Sequence, residues 1–202
     1  MLLMQRYGGV EYRLGDLYYG KLEKKHIPVR SIFCENWPNT IGCEYAQTKK
    51  SVQDLRTLKN LVDKRTVAKP QNCSLVIHLR LGDVLDWNLY VKKYKCDIQK
   101  GCPWVHPISR YTGSIIPRSI CDIEIFGNPF YRVSNGTMSL LYLNMVYNQL
   151  KHVRPTTIIS SKNVDSDFVY MCNSRFFMAS KGKFSTLIAT MVRDKGGIVL
   201  QV

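Results

Sequence analysis

The sequence predicts an α/β fold whose C-terminal part is a Rossmann-type parallel sheet. Three observations carry this. The last quarter of the chain alternates short apolar β-branched runs with amphipathic stretches at helical spacing. A similar apolar run, Cys73-Ser74-Leu75-Val76-Ile77-His78-Leu79, lies between Pro70 and Gly82. Finally, 202 residues with 45% hydrophobic content suffice for one sizeable core or two small lobes.

In chain order, Val52, Leu55, Leu58, Leu61 and Val62 recur at three- and four-residue steps and predict an amphipathic helix within 48–67, stopped before Pro70. The 73–79 run then reads as a buried strand. Residues from about 84 to 137 mix aromatic and basic residues with prolines and read as a long irregular insertion, with a strand near 119–126. A helix is expected from Met138 to His152, before Pro155. Thr156 to Ser160 reads as a strand, and Asp165 to Asn173 as a short helix with acidic residues near its start. Arg175 to Ser180 reads as a strand and Lys183 to Asp194 as a helix with Phe184, Leu187, Ile188 and Met191 on one face. Gly196-Gly197 closes that helix before a last strand at Ile198 to Val202. Strand–helix–strand repetition of this kind implies parallel strands covered by helices.

Composition narrows the class. Aromatic content of 11% and the absence of repeats argue against disorder. No run of about 18 apolar residues occurs, and the apolar start is too short for a secretion leader. The seven cysteines are an odd count and form no CxxC pair. The expectation is therefore a cytoplasmic chain with mostly reduced thiols and no metal site. Asn72-Cys73-Ser74 and Asn135-Gly136-Thr137 match the N-glycosylation triplet, which matters only in a secretory lumen. The net charge of +14 points to an anionic partner or to a solvated basic surface.

Two segments carry chemistry, and both fall at predicted strand ends, where ligands of parallel sheets bind. In Ser180-Lys181-Gly182-Lys183-Phe184-Ser185, a glycine turn enters a helix between two lysines and two serines. Free N–H groups, the helix dipole and the lysines suit a phosphate or diphosphate. An ordinary strand-to-helix turn has the same pattern, and the Walker A spacing is absent. In His78-Leu79-Arg80-Leu81-Gly82-Asp83, Arg80 offers a bidentate guanidinium for a diphosphate, Gly82 permits a sharp turn, and Asp83 can hold His78, Arg80 or local amides. An Arg–Asp pair that only caps the strand is the alternative.

The segment Leu75 to Asp83 resembles the HxRxGD motif of GDP-fucose-dependent fucosyltransferases: the α1,2, α1,6 and protein-O-fucosyl groups. Asp165-Ser166-Asp167-Phe168-Val169-Tyr170-Met171 is similar to their acidic segment before a helix, and Phe176 to Ser185 to their F-I-x-S-x-S-S-F-S segment. Gly8-Gly9-Val10-Glu11-Tyr12-Arg13-Leu14-Gly15-Asp16-Leu17 resembles the start of their acceptor-side lobe more weakly. Lys181-Gly182-Lys183 replaces the family's hydroxyl-rich run, and Leu81 stands where arginine is commonly doubled.

The resemblance implies a GT-B-like enzyme, metal-independent and inverting, with a reduced acceptor-side lobe at 1–70 and a nucleotide-sugar-binding lobe at 71–202. It implies GDP-fucose as donor substrate, a glycan or protein hydroxyl as acceptor, and no cofactor. Arg80 would bind the donor β-phosphate and Asp83 would brace its loop. His78 would shape the donor pocket, Asp167 would bind the nucleotide, and Ser185 a phosphate. Ser180, Lys181 and Lys183 complete the expected donor site.

Other readings stay open. Asp165-Ser166-Asp167 also spells the DxD of metal-dependent glycosyltransferases, although acidic residues are common at a helix start. Glu11, Asp16, Asp83 and Asp86 are all candidate bases. A basic nucleic-acid-binding protein, or an inactive glycosyltransferase-like binding protein, would share the charge and the aromatic-basic middle. Cys73 and Cys172 are expected as buried thiols, and His26, His106 and His152 as surface or satisfied histidines.

Overall fold

The computed structural model describes residues 4–7, 10–13, 55–86, 91–92, 94, 96–130, 135–159 and 163–200, the first two segments as backbone only. The contacts divide the chain into two compact units: Met1–Ala68 with Ser161–Cys172, and Lys69–Ser160 with Asn173–Val202. Residues 161–172, which the sequence reading keeps in the C-terminal lobe, thus group with the N-terminal segment.

In the first unit, β1 (Met4–Tyr7) and β2 (Val10–Arg13) form an antiparallel hairpin that the sequence reading lacks. Helix α1 (Leu55–Asp63) buries Leu58, Leu61 and Val62, the apolar face its periodicity predicts. It packs on α4 (Val164–Cys172), which buries Phe168, Val169, Met171 and Cys172.

The second unit is built on five parallel strands: β3 (Ser74–His78), β4 (Asp122–Phe126), β5 (Thr156–Ile159), β6 (Phe176–Met178) and β7 (Ile198–Leu200). Their spatial order is β5-β4-β3-β6-β7, with every pairing parallel. Central β3 is buried along its length except at His78, as its unbroken apolar run requires of a strand covered on both faces. Helices α3 (Thr137–Leu150) and α5 (Lys183–Asp194) link β4 to β5 and β6 to β7. The sheet winds one way from β3 through β4 to β5, then resumes on the other side of β3 with β6. The direction of winding therefore reverses between β3 and β6, and the crevice at their carboxyl ends is the ligand position of doubly wound sheets.

Two expectations are corrected here. The stretch at about 84–137, read as a long irregular insertion with one strand, holds β4 and, among its described residues, packs into the core. It contributes Cys96, Ile98, Val105, Ile108, Tyr111, Ile116 and Ile120 to the same core as β3 and β4. These residues recur at no period, so a search for periodicity passes over them. Tyr111 packs edge-on against Tyr142 with ring centres 6.2 Å apart, which settles its role as core rather than as a stacking platform. Trp87, Tyr90 and Tyr131 lie outside the described residues.

The second correction concerns the thiols. Cys73 is bonded to Cys121, and Cys96 to Cys102; Cys172 is buried and belongs to neither bond. The first bond follows from strand register. Ser74 pairs with Asp122 across β3 and β4, so the residues just before them meet, and the Cys121 N–H donates to the Cys73 carbonyl at 3.0 Å. Neither an odd count nor a search for CxxC spacing detects a pair set by topology. Cys34 and Cys43 lie outside the described residues. No helix among the described residues is long and apolar enough to cross a membrane.

Candidate functional site

The two segments singled out in the sequence meet at the winding reversal. His78 ends β3, and its Nδ1 lies 3.2 Å from Ser180 Oγ and 2.9 Å from Ser185 Oγ, just beyond the neighbouring strand β6. Ser185 Oγ also accepts the Ser180 backbone N–H at 3.0 Å. It accepts the Ser180 hydroxyl too, at 3.2 Å, so with both lone pairs engaged its own proton is left for His78 Nδ1, which places the imidazole proton on Nε2. The ring also packs edge-on against Phe184, with centres 5.3 Å apart. Burial and the Arg80 charge push the His78 pKa down to about 3. His78 is therefore neutral at physiological pH, with one ring N–H to donate.

Arg80 and Asp83 are joined through two contacts. Arg80 Nη2 donates to both carboxylate oxygens of Asp83, at 2.6 and 2.9 Å. Asp83 is buried while Arg80 keeps 18% of its side chain exposed, so the pair presents its cation outward and its anion inward. An aspartate held this way positions a guanidinium.

The turn between them needs Gly82, at φ 76°. The Gly82 N–H donates to Ser139 Oγ at 2.7 Å, and its carbonyl accepts from Leu85 and Asp86 at the start of α2 (Asp83–Asp86). Asp86, another candidate base, turns back onto α3. Its oxygens accept the N–H groups of Met138 and Ser139 at 2.7 and 3.0 Å, and the Ser139 hydroxyl. It thus caps a helix whose own N-cap residue, Gly136, has no side chain to do so, where the dipole favours a carboxylate.

On the β6 side, Gly182 at φ 112° redirects the chain into α5, whose first residue is Lys183 and whose first turn holds Ser185. Lys181 Nζ donates to the Cys102 carbonyl at 3.0 Å. This contact brings in a wall that the sequence reading misses: Cys102, Trp104 and His106. Trp104 lies 4.0 Å from where a Cβ on residue 182 would stand, and it packs edge-on against Tyr94. Burial together with the Lys181 charge lowers the His106 pKa, against a smaller opposing effect of the Ala179 backbone. No spacing signal links residues so far apart when the accepting group is a backbone carbonyl. The Cys96–Cys102 bond closes the short loop that presents this carbonyl.

Of the residues the sequence reading assigns, His78, Arg80, Asp83, Ser180, Lys181, Lys183 and Ser185 all belong to the second unit. Asp167 stands in the first turn of α4, in the other unit, with Asp165. The Asn163 side-chain oxygen accepts the Asp165 and Ser166 N–H groups at that helix start. Glu11 lies in β2, described as backbone only; Gly8, Gly9 and Asp16 fall outside the described residues. Comparison with family models, with curated proteins and with solved structures finds no match for this chain.

Proposed function

We propose that the chain is a fucosyltransferase-like glycosyltransferase of GT-B type. It moves fucose from GDP-fucose to a hydroxyl of a glycan or protein, with inversion and without a metal. One observation carries the reading: the HxRxGD segment and the Ser180–Ser185 turn, separate in sequence, share hydrogen bonds at the winding reversal of a parallel sheet. A nucleoside diphosphate there meets an arginine fixed by a buried carboxylate, two lysines and the N–H groups of α5.

In this reading Arg80 stabilises the charge that develops on the leaving diphosphate, an effect worth about 3 kcal/mol for a preorganised donor. His78 offers Nε2–H to the donor. Asp83 and Ser185 hold these two groups in place, and Lys181 and Lys183 add charge.

The test is thermal unfolding of the full chain with GDP, UDP, TDP or ADP, each with and without Mg²⁺. A ligand at a hundredfold excess over its Kd raises stability by about 2.7 kcal/mol. The expected result is stabilisation by GDP without metal, lost in Arg80→Lys. That variant keeps a cation beside Asp83 but loses the planar fork. Stabilisation by UDP only with Mg²⁺ would move the reading to a metal-dependent enzyme using Asp165 and Asp167. No response to any nucleotide, with retention on nucleic acid that falls steeply with salt, would replace the reading with a nucleic-acid-binding one.

A further inference from the structure

Three facts bear on the start of α3. The first is chemical. Disulfides form and persist in oxidising compartments, of which the secretory lumen is the eukaryotic one. Cys73–Cys121 and Cys96–Cys102 use four of the five described cysteines. In that lumen an exposed Asn-x-Ser/Thr triplet is an acceptor for N-linked glycan.

The second fact is geometric. Asn135 and Thr137 are both exposed. Asn135 Oδ1 accepts the Thr137 N–H at 3.1 Å and the Thr137 hydroxyl as well. Among the described residues, Asn135 Nδ2 donates no hydrogen bond that a substituent would break. The other triplet is different. Its middle residue is Cys73, tied to Cys121, and Ser74 is fully buried at the start of β3.

The third fact is the surface around it. Phe130 (54% exposed), Met138 (39%), Leu140 (37%) and Leu141 (45%) flank Asn135 in sequence, and they account for most of the large exposed apolar side chains described. Exposed apolar groups concentrated in one segment call for a cover, and a branched hydrophilic glycan rooted beside them provides one.

We propose that Asn135 is an N-glycosylation site and that its glycan covers the apolar start of α3. The donor is a lipid-linked oligosaccharide diphosphate of the secretory lumen. Asn135 Nδ2 forms a bond to the anomeric carbon of the first sugar. The bond from that carbon to the diphosphate oxygen breaks, its electron pair leaves with the lipid diphosphate, and one amide proton passes to a base of the transferase.

The test is expression of the full chain behind a cleavable secretion leader in a eukaryotic cell, with intact mass and gel mobility read before and after endoglycosidase. The expected result is a shift of one glycan that disappears in Asn135→Gln and in Thr137→Ala and persists in Thr137→Ser. A second shift, removed by Asn72→Gln, leaves this result standing. Transfer is read on the chain whether or not a variant folds. Enzymatic removal of the glycan from folded protein is expected to increase binding of an apolar dye. No glycan, or a glycan on Asn72 alone, would overturn the assignment, and unchanged dye binding would overturn the covering role. None of these readouts depends on nucleotide binding.

Discussion

Lowering the pH from 7 to 5 is expected to weaken the fold through His78 in particular. The ring is held neutral by burial and by Arg80, with its pKa pushed down to about 3 from an unfolded value of 6.5. As pH falls through 6.5 the unfolded chain takes up a proton at this position and the folded chain does not. The contribution is therefore complete above pH 6.5 and is lost progressively between 6.5 and 3. By pH 5 the unfolded ring is almost fully charged, and linkage gives a loss of about 2 kcal/mol relative to pH 7. An edge of the ring still reaches solvent, so this is the upper end. The comparison is His78→Asn, whose side-chain oxygen can accept the Ser185 proton but does not titrate. Urea unfolding of both chains at pH 7 and pH 5, with disulfides intact, isolates the term, because the other groups titrate alike in both. Wild type should lose up to about 2 kcal/mol more than the variant. Equal losses, or a His78 ring seen by NMR to titrate near 6.5 in the folded chain, would refute the argument.

Replacing Asp86 with alanine removes the cap of α3 and should cost about 1 to 2 kcal/mol in thermal unfolding, with Asp86→Asn recovering part of it. A cost below a few tenths would show that water serves those N–H groups equally well. The paired change Cys73→Ser with Cys121→Ser opens a loop spanning 48 residues, and chain entropy puts the loss at about 4 kcal/mol. Reduction of the wild-type chain, which opens Cys96–Cys102 as well, should lower its melting temperature at least as far as the double substitution does, and insensitivity to reductant would contradict the pairing.

How much of this was legible in the sequence depended on how local the signal was. Helix α5 could be read to the residue because Gly182 and Gly196-Gly197 punctuate it and Leu187, Ile188 and Met191 mark its face. Strand β3 was equally plain from its unbroken apolar run. The candidate site was half legible: both strand-end segments were visible, and a parallel sheet implies that strand ends gather. Their contact through His78, Ser180 and Ser185 required knowing that β6 returns beside β3. What escaped was set by topology or by backbone atoms. The Cys73–Cys121 bond depends on the register of β3 and β4, and the wall beside Lys181 depends on a carbonyl. Asp86 looked like a spare carboxylate until the helix it caps was in place, its Met138 N–H 52 residues away.

The sheet order also bears on how the chain is made. Strand β3 is central in space but first among the five in synthesis. Its flank toward β4 is covered soon after emergence, whereas its other flank waits for Phe176–Met178. At ribosomal speeds of about 5 to 20 residues per second, that interval lasts on the order of 5 to 20 seconds. Throughout it an aliphatic strand shows an unpaired edge, the kind that recruits other nascent chains. Yield should therefore respond to elongation rate and to chaperones that shield strand edges, before the stability of the finished molecule has any bearing.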